Sequence, residues 1–420
     1  MPTSKDIKAS IELHGRTYRL PSQPTVVVCV DGFDPEYLKT GIEDGILPNL
    51  SRFAKSGFHT TAKCAMPSLT NPNNVSIITG VPTSVHGIAG NFYLDRGTVE
   101  EHMVLDDSLL RGSTILEQMA NRGVRVAAIT AKDKLRKIIN HGLSPSNGAI
   151  SFSAQFADNC AETEHGISNV EQWLGRSTPE QYSGDLSIYV LDAGLKLLEE
   201  KRADLFYLTL SDYIQHKYPP GSPESNEFLH AVDTRLGKFI ELGAVVVVTG
   251  DHGMSDKSNA DGTPNILFLE EELVGKWPES GARVICPIAD PFVRHHGALG
   301  SFVRVYLTGA AAADVDEMVQ FCQSLPLAEA AYRGAEAAAL FEMPPDREGD
   351  IVVIAKKNAV IGSKTDEHDL SQLQGFRLRS HGGLSEQKIP LIRSTPLRDG
   401  HQLEPETWRN FDAFDLALNW

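Results

Sequence analysis

The sequence predicts an α/β fold, in which a doubly wound, mostly parallel sheet is flanked by helices and carries an inserted, smaller α+β cap domain. Short β-branched runs alternate with amphipathic helical patterns, and the runs are apolar on both faces, as in buried parallel strands. From about residue 257 the pattern changes to single strands between helices rich in Ala and Glu. We therefore place the core at 20–256 and 376–420, and the inserted cap domain at 257–375.

The first strand and helix follow each other directly. The run TVVVCVDGFD at 25–34 is predicted to be a central strand because it is apolar on both faces. Pro48 then begins a helix whose Leu50 and Phe53 fall on one face, and Gly57 ends it.

The later units repeat this order. Thr114 and Glu117 form the pattern of a capping box at the start of a helix, and a strand follows at 124–130. Two further helical patterns with apolar residues on one face precede strands at 204–210 and 244–250. These units complete the predicted doubly wound core.

Composition excludes some classes of function. The 420 residues include 39 Lys and Arg against 55 Asp and Glu, so the formal net charge is −16, whereas a nucleic-acid-binding protein normally has a basic face. The first twenty residues do not have the apolar block of a signal peptide, and no apolar run is long enough to span a bilayer. Five cysteines without a CxxC pair do not suggest a disulfide framework. We therefore expect a cytoplasmic protein with no membrane or nucleic-acid partner.

Polar residues follow three of the predicted strands. Asp31 follows the first, Asp212 and His216 follow another, and Asp251 with His252 follows a third. Taken singly, Asp31 could be a helix cap or turn residue, and Asp212 with His216 an ion pair on a helix. Together they lie at the carboxyl edge of a sheet, where ligands bind and where clustered carboxylates would repel one another without a cation. Carboxylate and imidazole ligands suit zinc.

Thr70 is the candidate nucleophile. It precedes a predicted helix that Asn71 would cap and whose first turn Pro72 would occupy, and a helix N-terminus attracts a phosphoryl group. A hydroxyl beside a metal ion loses its proton more readily. Without the metal motifs, Thr70 would be interpreted as an ordinary cap or turn residue.

Two other groups of residues have alternative interpretations. Lys132 and Lys134 would project to one side of an extended segment and bind a substrate carboxylate, but from the residues alone the favoured interpretation is a solvated helix start with no ligand. The pair His295 and His296 lies in the predicted cap domain without spaced acidic partners, so we interpret it as a surface or cap contact. His86 is interpreted as a turn residue or as a residue behind the site.

Several motifs in a fixed order resemble the alkaline phosphatase superfamily, in particular its nucleotide pyrophosphatase/phosphodiesterase branch. They include VVVCVDGFDPEYL, MPSLTNPNNVSIITG, LSDYIQHKY, VVTGDHGMSD and SHGG, and cover most of the first 256 residues and a short piece near the end. The resemblance implies an alkaline phosphatase-like core with two Zn²⁺ per chain. It assigns to one zinc the ligands Asp31, Thr70, Asp251 and His252, and to the other Asp212, His216 and His381. It also implies that Asn91 donates a hydrogen bond to a phosphoryl oxygen.

The sequence departs from the phosphodiesterase pattern at the nucleophile. Where those relatives show Thr-Phe-Pro-Asn-His, this chain has Thr-Asn-Pro-Asn-Asn at 70–74, and it has the basic segment AKDKLRK at 131–137. These departures, with the absence of a secretory segment, resemble a bacterial member of the superfamily that cleaves a carbon–phosphorus bond. The resemblance implies hydrolysis of phosphonoacetate to acetate and phosphate, with a phosphothreonine at Thr70 and the carboxylate held by Lys132 and Lys134.

Other hypotheses remain open at this point. The same two metals would serve a nucleotide phosphodiesterase or a phosphate monoesterase, and a non-catalytic metal- or phosphonate-binding protein would keep the same ligands. Mn²⁺ or Fe could replace zinc, and a homodimer is also open. The expected partner is a small phosphonate.

Overall fold

The computed structural model describes residues 9–290, 296–309, 314–373, 375–398 and 407–420. Within these residues the strands are β1 (Ser10–Leu13), β2 (Arg16–Arg19), β3 (Thr25–Cys29), β4 (Phe58–Lys63), β5 (Phe92–Asp95), β6 (Glu100–Met103), β7 (Val126–Thr130), β8 (Ile150–Ser153), β9 (Leu205–Thr209), β10 (Val245–Thr249), β11 (Ser255–Asp256), β12 (Ile266–Phe268), β13 (Ala282–Ile285), β14 (Phe302–Leu307), β15 (Ala328–Arg333), β16 (Ile351–Ala355), β17 (Val360–Gly362), β18 (Arg379–Ser380) and β19 (Lys388–Arg393).

The α-helices of the same residues are α1 (Pro35–Glu43), α2 (Pro48–Ser56), α3 (Thr70–Thr79), α4 (Thr83–His86), α5 (Ile115–Asn121), α6 (Asp133–Ile139), α7 (Glu162–His165), α8 (Val170–Leu174), α9 (Asp185–Glu199), α10 (Tyr213–Lys217), α11 (Pro223–Glu241), α12 (Leu269–Lys276), α13 (Val315–Ser324), α14 (Gly334–Phe341) and α15 (Ala413–Leu418).

A seven-stranded sheet forms the centre of the molecule, in the order β4-β19-β10-β3-β9-β7-β8. The strands β10, β3, β9, β7 and β8 are parallel to their neighbours in this order, whereas β19 runs antiparallel to both β10 and β4. Val28 of β3 lies opposite Val248 on one side and Leu208 on the other. Because this register aligns the three strands, the residues that follow β3, β9 and β10 meet at one edge of the sheet.

Both faces of the sheet are buried. Val26 and Val28 belong to one apolar cluster and Val27 to another, as alternate residues of a strand should. Helices α9 and α11 pack on the first face, and α5 and α15 on the second. The predicted doubly wound α/β core, with a mostly parallel sheet flanked by helices, is therefore confirmed.

A second sheet lies within the predicted cap domain. Its four antiparallel strands have the order β13-β14-β16-β15. Helix α13 packs against it through Met318, beside Val303 and Val353. The short pairing of β11 with β18 joins Ser255 to Ser380, so the chain leaves and returns to the central part at neighbouring points. The domain boundaries at 257 and 375 stay a prediction.

Most of the predicted elements are present, with shorter strands. The strand β3 ends at Cys29 because the chain then turns at Gly32, whose φ is +69°, and Asp34 caps α1 by accepting the N–H of Glu36. Helix α2 spans Pro48–Ser56 and is followed by Gly57, as predicted. The side chain of Thr114 caps α5 by accepting the N–H of Glu117.

The predicted start of α3 was wrong by two residues. Leu69 occupies the cap position and Thr70 is the first helical residue, so Asn71 does not cap the helix. The side chain of Asn73 explains the earlier start, because its Nδ2 donates to the carbonyls of Pro67 and Leu69 and its Oδ1 accepts the N–H of Ala65. These bonds hold the preceding turn against the helix.

Two further observations concern the chain as a whole. None of the five cysteines forms a disulfide. No helix of the described residues combines the length and apolar character needed to cross a bilayer.

Candidate active site

The predicted ligands lie at the carboxyl edge of the central sheet. Asp31 and Asp251 follow β3 and β10, and Asp212 precedes α10, which contains His216. His381 directly follows β18. All six predicted His and Asp ligands are buried, with exposures from 0 to 5%: Asp31, Asp212, His216, Asp251, His252 and His381.

The first group comprises Asp31, Asp251 and His252, whose ligand atoms lie within 4.8 Å of one another. The Nε2 of His252 is 3.1 Å from Oδ1 of Asp31 and 3.7 Å from Oδ2 of Asp251. Thr70 belongs to this group, since its Oγ1 is 3.3 Å from the same Nε2. The four residues assigned to one metal therefore meet at one point.

The second group comprises Asp212, His216 and His381, again with ligand atoms within 4.8 Å. The Oδ2 of Asp212 is 2.8 Å from Nε2 of His216 and 3.9 Å from Nε2 of His381. The two groups are neighbours, because the rings of His252 and His381 stack with centroids 3.5 Å apart and an interplanar angle of 7°.

The hydrogen bonds of the three histidines show that the site fits cations. In each ring, Nδ1 lies 2.7–2.8 Å from a backbone carbonyl, of Arg379 for His216, Gly253 for His252 and Ser68 for His381. A carbonyl oxygen only accepts, so Nδ1 carries a proton and Nε2 of each ring faces carboxylate oxygens. An unprotonated Nε2 and a carboxylate face each other stably only around a cation, and this carbonyl anchoring is typical of metal-binding histidines.

The electrostatics of the buried carboxylates lead to the same conclusion. Burial, with the charges of Asp212 and Asp251, raises the pKa of Asp31 well above its ordinary value, and burial also raises the pKa of Asp251. Burial lowers the pKa of His252, but the carboxylates of Asp251 and Asp31 outweigh it and raise that pKa to about 10. The cluster therefore needs added positive charge, which either protons or metal ions would supply.

A small pocket of about 50 Å³ adjoins both groups. Besides ligands of the two groups, its lining includes Asn71, Asn91, Lys132, Lys134, Leu135, Leu210, Ile288, Asp290 and His296. The Nζ of Lys132 is 3.7 Å from Oδ1 of Asp212, and Lys134 forms an ion pair with Asp290. The Oδ1 of Asn91 accepts the N–H of Asn71 at 3.3 Å. All the predicted substrate-binding residues thus line the pocket that contains Thr70.

The extended local structure expected for carboxylate binding by the two lysines was wrong. Lys132 occupies the cap position of α6 and Lys134 lies in its first turn, rather than on one side of an extended segment. Both ammonium groups still reach the pocket because α6 begins beside it, directly after β7.

Of the two interpretations of His296, the surface residue was wrong, whereas a contact made by the predicted cap range agrees with its position. His296 is 3% exposed, lines the pocket and stacks on His216 with centroids 5.2 Å apart, while His295 lies outside the described residues. The chain after His296 packs directly on the site, since the N–H of Ser301 donates to the carbonyl of His381 at 2.9 Å. His86 is the last residue of α4 rather than a turn residue; it is buried, hydrogen-bonds Ser76 and is not part of the described pocket lining.

Two residues of the site, Asn74 and Asp290, were not predicted from the sequence. The Nδ2 of Asn74 donates to Oδ2 of Asp251 at 3.1 Å and to the carbonyl of Thr70 at 3.0 Å. The spacing of four residues between Thr70 and Asn74, one helical turn, could have indicated this contact. Asp290 had no such signal, because it reaches the pocket only through the packing of the segment after β13.

The fold and site define the class of protein. The family model of type I phosphodiesterase / nucleotide pyrophosphatase matches residues 25–383, and the chain belongs to this family. An uncharacterized pyrophosphatase/phosphodiesterase of Schizosaccharomyces pombe is 24% identical over 270 residues, 62% of this chain and 46% of that protein. Ectonucleotide pyrophosphatase/phosphodiesterase family member 1 of Homo sapiens is 40% identical over 256 residues, 56% of this chain and 24% of that protein. The match thus spans less than half the length of these relatives.

Solved structures give a more specific similarity. Crystal structures of phosphonoacetate hydrolase from Sinorhizobium meliloti 1021, in complex with phosphonoformate and with phosphonoacetate, have a TM-score of 0.92 to this chain at 44% identity. The similarity covers 97% of this chain and 98% of the other. The chain therefore has the alkaline phosphatase-like fold of that enzyme, and it is a hydrolase of phosphoester or carbon–phosphorus bonds.

Proposed function

We propose that this chain hydrolyses the carbon–phosphorus bond of phosphonoacetate, releasing acetate and phosphate through a phosphothreonine at Thr70. The observation that carries the proposal is the shared pocket, in which a threonine hydroxyl beside one metal-ligand group lies with two lysines that suit a carboxylate. The similarity to an enzyme solved with phosphonoacetate supports the same substrate.

Two Zn²⁺ per chain suit the two groups of ligands. Asp31, Asp251, His252 and Thr70 would hold one ion, and Asp212, His216 and His381 the other. When bound, such ions neutralise the phosphoryl oxygens and favour the deprotonated form of a hydroxyl or of water. Mn²⁺ or Fe could take the same places, and metal reconstitution with activity measurements would distinguish them.

Thr70 supplies the nucleophile in the proposed reaction. Its Oγ1 loses a proton and forms a bond to phosphorus while the carbon–phosphorus bond breaks, and the departing carbon takes up a proton. Water then attacks the phosphothreonine, releasing phosphate and restoring the threonine. Thr70 is the first residue of α3, so free N–H groups of the helix lie near the phosphoryl group, and Asn91 lines the same pocket to bind a phosphoryl oxygen.

Lys132 and Lys134 stabilise the negative charge that develops on the leaving group when the carbon–phosphorus bond breaks. A carbanion is a poor leaving group unless its charge is delocalised, and the adjacent carboxylate can take that charge as an enediolate-like species. Two ammonium groups in a desolvated pocket stabilise this charge more than water does. Their side chains are only 21% and 17% exposed, so they are shielded from solvent.

The pocket favours this substrate over a nucleotide. Its described lining contains no Phe, Tyr or Trp that could stack on a base, and its volume of about 50 Å³ suits a small ligand. The proposal therefore ranks above the phosphodiesterase hypothesis. The cytoplasmic location and the homodimer stay predictions.

The nucleophile is tested by Thr70→Ala. We expect the variant to retain both metals, measured by elemental analysis, and to lose phosphate release from phosphonoacetate by about a thousandfold or more, because the covalent step is removed. Thr70→Ser, which keeps a hydroxyl, is the matched control and should keep measurable turnover. Wild-type activity in Thr70→Ala would contradict the covalent mechanism.

The carboxylate assignment is tested by Lys132→Ala with two substrates. We expect kcat/KM for phosphonoacetate to fall by about a hundredfold, while cleavage of p-nitrophenyl phosphate, which has no carboxylate, changes much less. Lys137→Ala is the control, because Lys137 belongs to the same helix but is 54% exposed and pairs with Asp133. Equal losses on the two substrates would contradict the assignment.

A further inference from the structure

Among the described residues of the pocket lining, Asp290 is the one carboxylate that belongs to neither metal-ligand group. It lies five residues after the end of β13, and its side chain is 7% exposed. Its Oδ2 forms an ion pair with Nζ of Lys134, which belongs to α6 of the central core. The pair therefore connects the second-sheet region to the lysine that is proposed to bind substrate.

Hydrogen bonds connect the backbone around Asp290 to the same site. The N–H of Asn91 donates to the carbonyl of Pro287 at 2.7 Å, and the N–H of Ala289 closes a turn onto the carbonyl of Cys286 at 2.9 Å. Ile288, between them, is 2% exposed and also lines the pocket. Asn91, which is proposed to bind a phosphoryl oxygen, and Asp290, which pairs with Lys134, are therefore connected by a short hydrogen-bonded segment.

The two lysines have different electrostatic surroundings. The Nζ of Lys132 is 3.7 Å from Oδ1 of Asp212, which is itself a predicted metal ligand. The Nζ of Lys134 instead forms its ion pair with Oδ2 of Asp290. Lys134 is therefore held by a carboxylate that belongs to neither metal-ligand group. An ammonium has three N–H donors, so the bond to Asp290 leaves donors for a substrate carboxylate.

We propose that Asp290 is a positioning residue that holds Lys134 in the pocket as a cation and thereby selects ligands with a carboxylate next to the phosphonate. The inference rests on the proposed function, since it concerns the carboxylate end of the same substrate. Asp290 acts through Lys134 and not on the phosphorus. Its loss should therefore weaken recognition of the carboxylate and leave recognition of the phosphonate group unchanged.

Binding is measured by calorimetry in the zinc-loaded Thr70→Ala enzyme, where the absence of turnover gives true dissociation constants. Phosphonoacetate and methylphosphonate are compared, because only the first has a carboxylate. We expect Asp290→Asn to reduce the preference for phosphonoacetate by about tenfold, as expected for loss of a charge-assisted contact. Asp290→Glu should restore most of the preference. Asp346→Asn, which breaks the exposed pair with Arg111, is the matched control and should change neither constant.

A double variant tests whether Asp290 acts through Lys134. Lys134→Met with Asp290→Asn should show the same preference as Lys134→Met alone, because the partner of Asp290 is already gone. The inference is overturned if Asp290→Asn leaves the preference unchanged or weakens both ligands equally, or if the parent enzyme does not prefer phosphonoacetate. If the wild-type enzyme releases no phosphate from phosphonoacetate but the binding preference responds as expected, the proposed function fails and the role of Asp290 stands.

Discussion

Asn74 offers a direct test of how the proposed metal site is supported. Its side chain is fully buried and makes four hydrogen bonds. The Nδ2 donates to Oδ2 of Asp251 and to the carbonyl of Thr70, and the Oδ1 accepts the hydroxyls of Tyr207 and Thr209 at 2.7 and 2.8 Å. One amide therefore links the nucleophile, a predicted ligand and strand β9.

Asn74→Ala should affect both stability and metal binding. Two buried hydroxyls lose their acceptor, so the free energy of unfolding, measured with urea in the presence of a chelator, should fall by about 3 kcal/mol. Asp251 loses the donor that orients it, and loss of such a partner typically weakens metal affinity by about 10–100-fold. Competition with a fluorescent zinc chelator would measure that affinity.

Tyr207→Phe separates the two effects. It removes one donor to Asn74 without touching Asp251, so we expect about 1 kcal/mol of destabilisation and an unchanged zinc affinity. If Asn74→Ala binds zinc as tightly as the wild type does, the amide does not orient the ligand. If Tyr207→Phe weakens zinc binding as much as Asn74→Ala does, the loss reflects general destabilisation, and the argument fails.

Two further predictions concern groups away from the metals. Burial, aided by the charges of His14 and Arg347, lowers the pKa of His86 to about 3. The unfolded chain therefore binds a proton at His86 more readily than the folded chain does, so stability falls as the pH falls below about 6.5. The free energy of unfolding of the wild type minus that of His86→Gln should therefore fall by about 2 kcal/mol between pH 6.5 and 5. A difference between the two proteins that does not depend on pH would refute the prediction. Lys257→Met should cost about 3–5 kcal/mol, since it leaves the carboxylate of Glu386 buried without its ammonium partner at 2.9 Å. In urea unfolding, the double variant Lys257→Met with Glu386→Gln should recover most of the free energy of unfolding that Lys257→Met loses. If it recovers none, the unpaired charge of Glu386 is not the cause of the destabilisation.

The sequence was sufficient to predict that the candidate ligands which follow parallel strands lie close together. Asp31 and Asp251 come directly after β3 and β10, and these two strands pair in register, so the apolar pattern alone places their ends together. The pairing of the edge strands could not be predicted in this way. Strand β4 joins the sheet only through β19, more than three hundred residues later in the chain, and no local pattern indicates that pairing.

The errors occurred where tertiary contacts determine the outcome. His296 looked like a surface residue because it has no acidic residue at ligand spacing, yet its chain segment packs on the core and buries it against His216. For carboxylate binding the lysine segment was expected to be extended, but α6 begins at Asp133, whose N–H is bonded to Oε1 of Gln155 and whose carboxylate is bonded to Arg136. Gln155 and His216 lie outside the local window on which a sequence pattern depends, whereas the contact of Asp133 with Arg136 lies within it.

The two metal-ligand groups depend on different parts of the fold. The first requires the central sheet, because Asp31 and Asp251 follow adjacent strands and His252 is anchored by the carbonyl of the next residue. The second needs His381, whose ring is anchored by Ser68 and whose own carbonyl binds Ser301, at the start of the second sheet. Since Ser68 is two residues before Thr70, His381 connects the segment before the proposed nucleophile to the second sheet. We therefore expect the position of His381, and with it the second group, to depend on the packing of the second sheet against the central part.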